Sequence, residues 1–500
     1  MSQFLKLMSI LALGFSFSVN AKIDVAKYKK YFSWTSSKEM PKAVKKARKR
    51  RVGRSFASNN VDLSHMSKEY KEMRDKVIGA KSADELHQMI LNVEKKMDAY
   101  PADAKFLASM LVTLKPFRGI VYRMIPLVEK PRITHSFLRN QVKTMASNMR
   151  VYLPTEHWEA GFAYITQPYS DNGEVVKQFT HPKLFSKDKT SGVIKFQEYV
   201  ATDIYPAITD SAKIVEEIEF EKPIIWDNKI VFGPESFQDE ILENRYRYMQ
   251  EGERRLALSS LHMGLHYITY FNSYNIEGSL KLSKDIGKLY GVDGFFGGAN
   301  SREGAPSYKV SKQVNKYKDL YTINDMGQTY MELSFKHLQE GVRQLRLARE
   351  ELRNEAPNRL FVLNTGRLDP WDENFEKTMA NIECAIEDVD GDSKVCSVRS
   401  AITGETVKVD LRKFYYNPPT DMKDLMPIAW DTEKTKIKNK KLGVSYPNYF
   451  WGLPTKWNAK AYSNYFPEAG ANSDMRKYVR VMRQSWGGEM FGAPLAMFVE

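Results

Sequence analysis

Residues 235–271, ESFQDEILENRYRYMQEGERRLALSSLHMGLHYITYF, form the longest uninterrupted helical pattern in the chain. The first half, from Glu235 to Arg255, is dense in charge, and the second half, from Leu256 to Phe271, is uncharged and largely apolar. Such a helix is expected to start at a surface and dive into the core of a bundle. Two further helical patterns follow it, Ile276 to Leu289 and Asp325 to Asn354. The second is heavily charged after Lys336 and is expected to lie partly on the surface.

Upstream, from Asp62 to Tyr152, apolar residues recur three and four apart, which predicts several short antiparallel helices. Ser82-Ala83-Asp84-Glu85 is a capping-box start for a helix to about Met97, with Leu86, Met89, Ile90 and Val93 on its apolar face. Tyr100-Pro101 ends it, Ala102 to Leu114 continues the pattern, Gly119 to Ile125 stops at Pro126, and Thr134 to Tyr152 closes the run. The next stretch is mixed: an amphipathic, partly helical segment from Ser191 to Glu219 precedes an expected hairpin over Pro223 to Phe232, turning at Asp227-Asn228.

After Pro357 the period changes. Arg359 to Leu363, Asn381 to Ile386, Val395 to Val398 and Thr406 to Leu411 read as strands separated by turns. Cys384 and Cys396 are the chain's two cysteines, and a pair this close is expected to be joined in an oxidising compartment. The fold class is therefore mainly α, a multi-helix bundle with a smaller β-containing, loop-rich C-terminal module. The expected divisions are a signal peptide at 1–21, a basic arm at 22–60, an N-terminal helical domain at 61–155 and a mixed connecting region at 156–234. A central helical bundle at 235–356 and the C-terminal module at 357–500 complete the chain.

The first 21 residues carry the marks of an export signal: Lys6, an uncharged and mostly apolar core from Leu7 to Val19, and Val19-Asn20-Ala21 at the cleavage position. This predicts an exported bacterial protein, periplasmic or secreted, with no transmembrane span in the mature chain, because the long uncharged stretch near Leu256 to Ile276 holds too many polar groups to sit in lipid. The formal net charge of +14 is concentrated. Lys22 to Arg54 alone contributes +11, and Ser55 to Glu500 carries only +2. Lys29, Lys30 and Trp34, then Lys45, Lys46, Arg48, Lys49, Arg50 and Arg51, make an arm in which lysines interleave with aromatics before a purely basic run. That composition suits an anionic envelope surface, lipid headgroups or cell-wall glycan, with another envelope protein as the other expected partner; nucleic acid is not expected of an exported chain. A cleavable propeptide and a solvated leader are the other readings of the same residues.

Tyr446 to Phe466 holds eight aromatics in 21 residues, and Trp451, Trp457, Tyr446, Tyr449 and Tyr462, with Lys441 nearby, are the candidate ligand-binding residues. Rings in loops make contact platforms, and they also pin irregular loops onto a core. Gly291 to Gly304 is a glycine-rich connector whose spacing fits neither a Walker loop nor a dinucleotide fingerprint. His262 and His266, at i and i+4, face one way on a helix, but no glutamate lies between them and no third ligand is identifiable, so core histidines are expected and neither metal nor cofactor is.

Pro234-Glu235-Ser236-Phe237 and Tyr274-Asn275-Ile276-Glu277-Gly278 resemble, over those few residues, segments of lytic transglycosylases. The second is one residue short of that pattern. The resemblance implies Glu235 as a general acid in a peptidoglycan-active, glycan-cleaving enzyme, the alternative to a binding or structural role.

Overall fold

The computed structural model describes residues 63–128, 159–179 apart from 172, 191–232 apart from 221, 222 and 228, 246–279, 312–354, 395–399, 404–430, 435–439, 444–450 and 454–469. Short pieces at 42, 282, 285, 380, 382–386, 477–478 and 481 complete the set. These residues are mostly helical, with a few small antiparallel strand pairs, so the mainly α class with a β-containing module holds.

From residue 63 onward the described residues form three helices packed on one another, α1 (Lys68–Gly79), α2 (Ala83–Lys95) and α3 (Ala102–Thr113). Their starts follow from local chemistry. The Ser67 and Ser82 hydroxyls accept from the Tyr70 and Glu85 N–H groups at 3.1 and 3.2 Å, which satisfies donors that a helix start leaves open. Leu86, Met89, Ile90 and Val93 are all buried, each contributing about 1.5–3 kcal/mol. Gly119, at φ +61°, turns the chain into α4 (Ile120–Val128) and lies against the Tyr169 ring that follows α5 (Glu159–Thr166). A side chain there would need both a left-handed backbone and 2.9 Å from that ring.

After the two-residue strands β1 (Ser170–Asp171) and β2 (Glu174–Val175), one long helical run extends through α6 (Ser191–Tyr199), a π turn at Val200–Ile204 and α7 (Tyr205–Glu217). The cause of the π turn is Pro206. It has no N–H for the Thr202 carbonyl, and its ring would crowd that carbonyl in a regular α-helix.

The expected hairpin over 223–232 is not what forms. Strand β3 (Ile224–Asp227) pairs antiparallel with β4 (Tyr246–Met249), Ile224 opposite Met249 and Asp227 opposite Tyr246, while α8 (Lys229–Phe232) occupies the presumed return strand. The long pattern that opened at Glu235 accordingly splits, with a strand at 246–249 before the helix α9 (Glu251–Asn272). The Gln250 N–H donates to Glu253 Oε2 at 2.9 Å in a capping box that sets the start of α9.

Helix α9 packs antiparallel along α10 (Gly327–Asn354), and α7 lies against α9 and reaches α10 through Tyr205. The C-terminal module adds the hairpin β5 (Cys396–Arg399) and β6 (Thr406–Val409), α11 (Leu411–Tyr416), and β7 (Ala429–Trp430), which pairs with β10 (Pro454–Lys456). Strands β8 (Thr435–Asn439) and β9 (Val444–Phe450) pair with each other, and α12 (Ala459–Ser463) follows. Residues 382–386, expected as a strand, are helical. Cys384 on that helix is joined to Cys396 on β5 across a separation of 12 residues, so the disulfide forms as expected. No described helix is long and apolar enough to cross a membrane.

The apolar interior forms two clusters. The first gathers α1 to α7 with Leu258, Leu261 and Leu265 of α9 and Leu333 of α10. The second gathers Tyr270, Met331, Phe335, Leu338 and Val342 with the C-terminal module. Helices α9 and α10 thus form the wall between the two.

Candidate functional site

The wall is polar along its length. Gly341 lets α9 and α10 approach closely, since a Cβ there would lie 2.9 Å from Met263 Sδ and 3.2 Å from the Ser259 carbonyl; the Ser259 hydroxyl donates to the Gly341 carbonyl at 2.6 Å. Toward the start of α9 the seam is ionic. The Arg254 Nε donates to Glu251 Oε2 at 2.7 Å, and its Nη1 donates to the Val215 carbonyl of α7 at 2.6 Å. Arg255 meets Glu251 at 3.0 Å and donates to Gln344 Oε1 at 2.9 Å, and Gln344 Nε2 donates to Glu340 Oε1 at 2.7 Å. Arg254, Glu251, Gln344 and Glu340 are all buried. Ions taken from water into an interior persist only when paired in this way.

Glu216, at the end of α7 and partly exposed, adds a further carboxyl to Glu251 and Glu340 at this end of the seam. Its own burial, then the charge of Glu340, push its pKa up to about 7, against the pull of Arg254. Burial also raises that of Glu340, against the Gln344 hydrogen bond and Arg343. A carboxylic acid that still carries its proton near neutral pH can donate it, which an ordinary surface glutamate cannot.

In the middle of the seam lie three buried histidines. His262 Nδ1 faces His337 Nδ1 at 3.2 Å, and His337 Nε2 meets the Tyr205 hydroxyl of α7 at 3.0 Å. One turn along, His266 Nδ1 lies 2.8 Å from Ser334 Oγ and 3.1 Å from the Ser334 carbonyl, while the Ser334 hydroxyl donates back to the His266 carbonyl at 2.9 Å. This places the His266 proton on Nδ1. Burial lowers the pKa of His262 to about 3 and that of His266 to about 4, and with the two neighbouring rings it lowers that of His337 well below its ordinary value. His262 and His266 are buried core histidines, the reading that the missing glutamate and third ligand favoured over the metal pair their spacing offered. Among the described residues no three His, Cys, Asp or Glu side chains are placed to hold a metal ion.

The other residues singled out from the sequence are scattered. Trp457 and Tyr462 are a correction: both are buried in the second apolar cluster, where the Tyr462 hydroxyl donates to the Leu425 carbonyl, so they pin loops onto the module instead of standing on a surface platform. Tyr446 and Tyr449 belong to β9, where Tyr449 pairs with Lys436. Trp451, Lys441 and Glu235 lie outside the described residues, as do Lys29, Lys30, Trp34, Lys45, Lys46, Arg48, Lys49, Arg50 and Arg51. The Tyr274–Gly278 segment is a turn after α9, with Asn275 Oδ1 accepting from the Glu277 N–H at 2.7 Å. His337, Ser334, Tyr205 and Glu216 were not anticipated. Ser334 and His337 are three apart on α10, a spacing that puts them on one face, but only the antiparallel register with α9 gives that face its partners. No family model, no curated protein and no solved structure matches this chain.

Proposed function

We propose that the chain is an exported, envelope-associated binding or structural protein held at an anionic surface by its basic arm. The observation that carries this reading is the placement of charge: +11 within Lys22 to Arg54, against +2 for everything from Ser55 onward. Each ammonium or guanidinium group near an anionic surface contributes about 1 kcal/mol, so the arm alone could hold a nearly neutral body there. The paired interior charges of the α9–α10 seam and the core positions of Trp457 and Tyr462 fit a rigid body that presents an arm. The test is a pull-down of residues 22–500 on purified cell-wall sacculi and on anionic liposomes, beside a chain lacking Lys22 to Arg54. Binding that survives the deletion defeats the proposal.

The glycan-cleaving alternative gains one observation, and it concerns Glu216 instead of Glu235. A carboxyl pushed up to about 7 by its burial and by the charge of Glu340 has the protonation a general acid needs. Soluble muropeptides released from sacculi by the parent chain, and lost in Glu216→Gln or in Glu235→Gln, would select this reading. Binding without release sets it aside.

A further inference from the structure

We propose that the Cys384–Cys396 bond is a redox switch: a dithiol reductant opens it by attacking the Cys384 sulfur, and its opening undocks the β5–β6 hairpin from the C-terminal module. The inference goes beyond the envelope reading and holds whatever surface the arm meets. It rests first on what the bond joins. The short helix at 382–386 is fixed to α10 by other contacts. The Gln339 amide donates to the Ile386 carbonyl at 2.7 Å, Arg346 meets Glu383 at 3.5 Å, and Ile382, Ala385 and Ile386 pack in the second apolar cluster. Cys396 carries the other half of the bond on β5. The buried face of the hairpin, Cys396, Val398, Val407 and Val409, enters the same cluster, while Ser397, Arg399, Thr406 and Lys408 face out.

It rests next on how the hairpin is anchored. Strand β6 runs into Asp410, whose N–H donates to the Tyr465 carbonyl at 2.8 Å and whose Oδ1 accepts from the Lys413 N–H at 3.0 Å. Lys408 of β6 also meets Glu468 at 2.7 Å. Strand β5 is held by its pairing with β6, by its apolar side chains and by the bond itself. Two short strands are marginal without support, so cutting the bond loosens the hairpin from its β5 side.

It rests finally on which sulfur a reductant meets. Cys384 is half-buried, whereas Cys396 is 1% exposed. A thiolate of the reductant therefore attacks the Cys384 sulfur, the S–S bond breaks, and its electron pair leaves on the Cys396 sulfur, which takes a proton. The second thiolate of the reductant then attacks its own sulfur in the mixed disulfide. Cys384 departs as a thiolate and takes a proton, and the reductant leaves as its disulfide, two electrons and two protons having passed to the chain. A thiolate is disfavoured in the apolar site of Cys396, so the departure of that sulfur and the loosening of β5 accompany each other. A bond across a separation of 12 residues favours the docked hairpin by about a hundredfold. By linkage, docking favours the oxidised bond by the same factor.

Hydrogen exchange at pH 7 on the parent chain, oxidised and then treated with dithiothreitol, tests the switch. The amides of residues 396–399 and 406–409 should exchange about a hundredfold faster after reduction, while residues 83–113 and 257–270 keep their rates. An unchanged hairpin, or acceleration spread evenly over the three regions, would overturn the proposal. A chain carrying both Cys384→Ser and Cys396→Ser should show the reduced pattern with no reductant present, and the oxidised pattern in that chain would equally overturn it. The attacked sulfur is read on the parent chain, which keeps the test in force if the double variant does not fold. After brief exposure to reduced glutathione and an acid quench, peptide mapping should place the adduct on Cys384. An adduct on Cys396, or none, would mean that the bond is not opened from the Cys384 side.

Discussion

Two glycines on the paired helices make opposite predictions from a single geometric quantity. At Gly264 of α9 a Cβ would meet nothing within 4 Å, whereas at Gly341 of α10 it would press on Met263 and on the Ser259 carbonyl. Gly264→Ala removes backbone freedom from the unfolded chain at no steric cost and should stabilise by about 0.5–1 kcal/mol. Gly341→Val must move a backbone carbonyl as well as a flexible thioether, and should destabilise by about 1–3 kcal/mol. Urea midpoints for the two variants decide the matter, and a Gly341→Val chain as stable as the parent would mean that the helices do not approach as closely as described. His262 and His266 show how far residues alone can be read. Their spacing suits a metal pair and only the missing glutamate and third ligand pointed to core histidines, but the ring that completes the cluster lies on a helix 75 residues away.

Arg254 makes the matching prediction for an element. It ties α9 to α7 through the Val215 carbonyl and neutralises Glu251 within its own first turn. Removing one partner of a buried ion pair costs about 3–5 kcal/mol, and the retained Arg255–Glu251 contact at 3.0 Å should hold Arg254→Leu near the lower end. A loss below about 1 kcal/mol in chemical denaturation would contradict the pairing of α7 with α9. Local patterns fared well where an element depends on itself: the helix start at Ser82, the buried face of α2 and the end of α10 at Asn354 fall as expected, although the Glu85 carboxylate accepts from the Lys81 N–H and so does not close the expected capping box on Ser82. They failed where a partner is distant. Ile224 to Asp227 has the β-branched and aromatic composition of a hairpin arm, but its partner Tyr246 to Met249 lies beyond a short helix, inside a stretch whose composition reads as helix throughout. Residues 382–386 failed differently, since a short apolar run with a cysteine suits a strand or a buried helix equally. The raised pKa of Glu216 was invisible in the sequence because its causes, burial and the charge of Glu340 on another helix, are set by the fold.

At the scale of the whole molecule, the deciding property is that charge is separated along the chain instead of spread through it. A chain with +13 over residues 22–500, distributed evenly, would show a modest attraction to any anionic surface; with +11 of it in 33 residues, the proposed attraction would belong to the arm. The screening length falls from about 10 Å at 0.1 M salt to about 3 Å at 1 M, less than the spacing between a lysine and a headgroup across a water layer. Residues 22–500 should therefore co-sediment with vesicles containing anionic lipid at low salt and release at 1 M, while Ser55 to Glu500 should stay in the supernatant at both. The same arm should dominate cation exchange, with the shortened chain, at +2, eluting near the start of the gradient. Residual binding that ignores salt would instead mark an aromatic or apolar contact, and would move the attachment from charge to rings. Charge and rings differ in their response to a neutral lipid surface, which has no anionic headgroups but retains the interface that aromatic side chains favour. Vesicles of zwitterionic lipid alone therefore separate the two, and an arm working by charge should leave them unbound at every salt concentration.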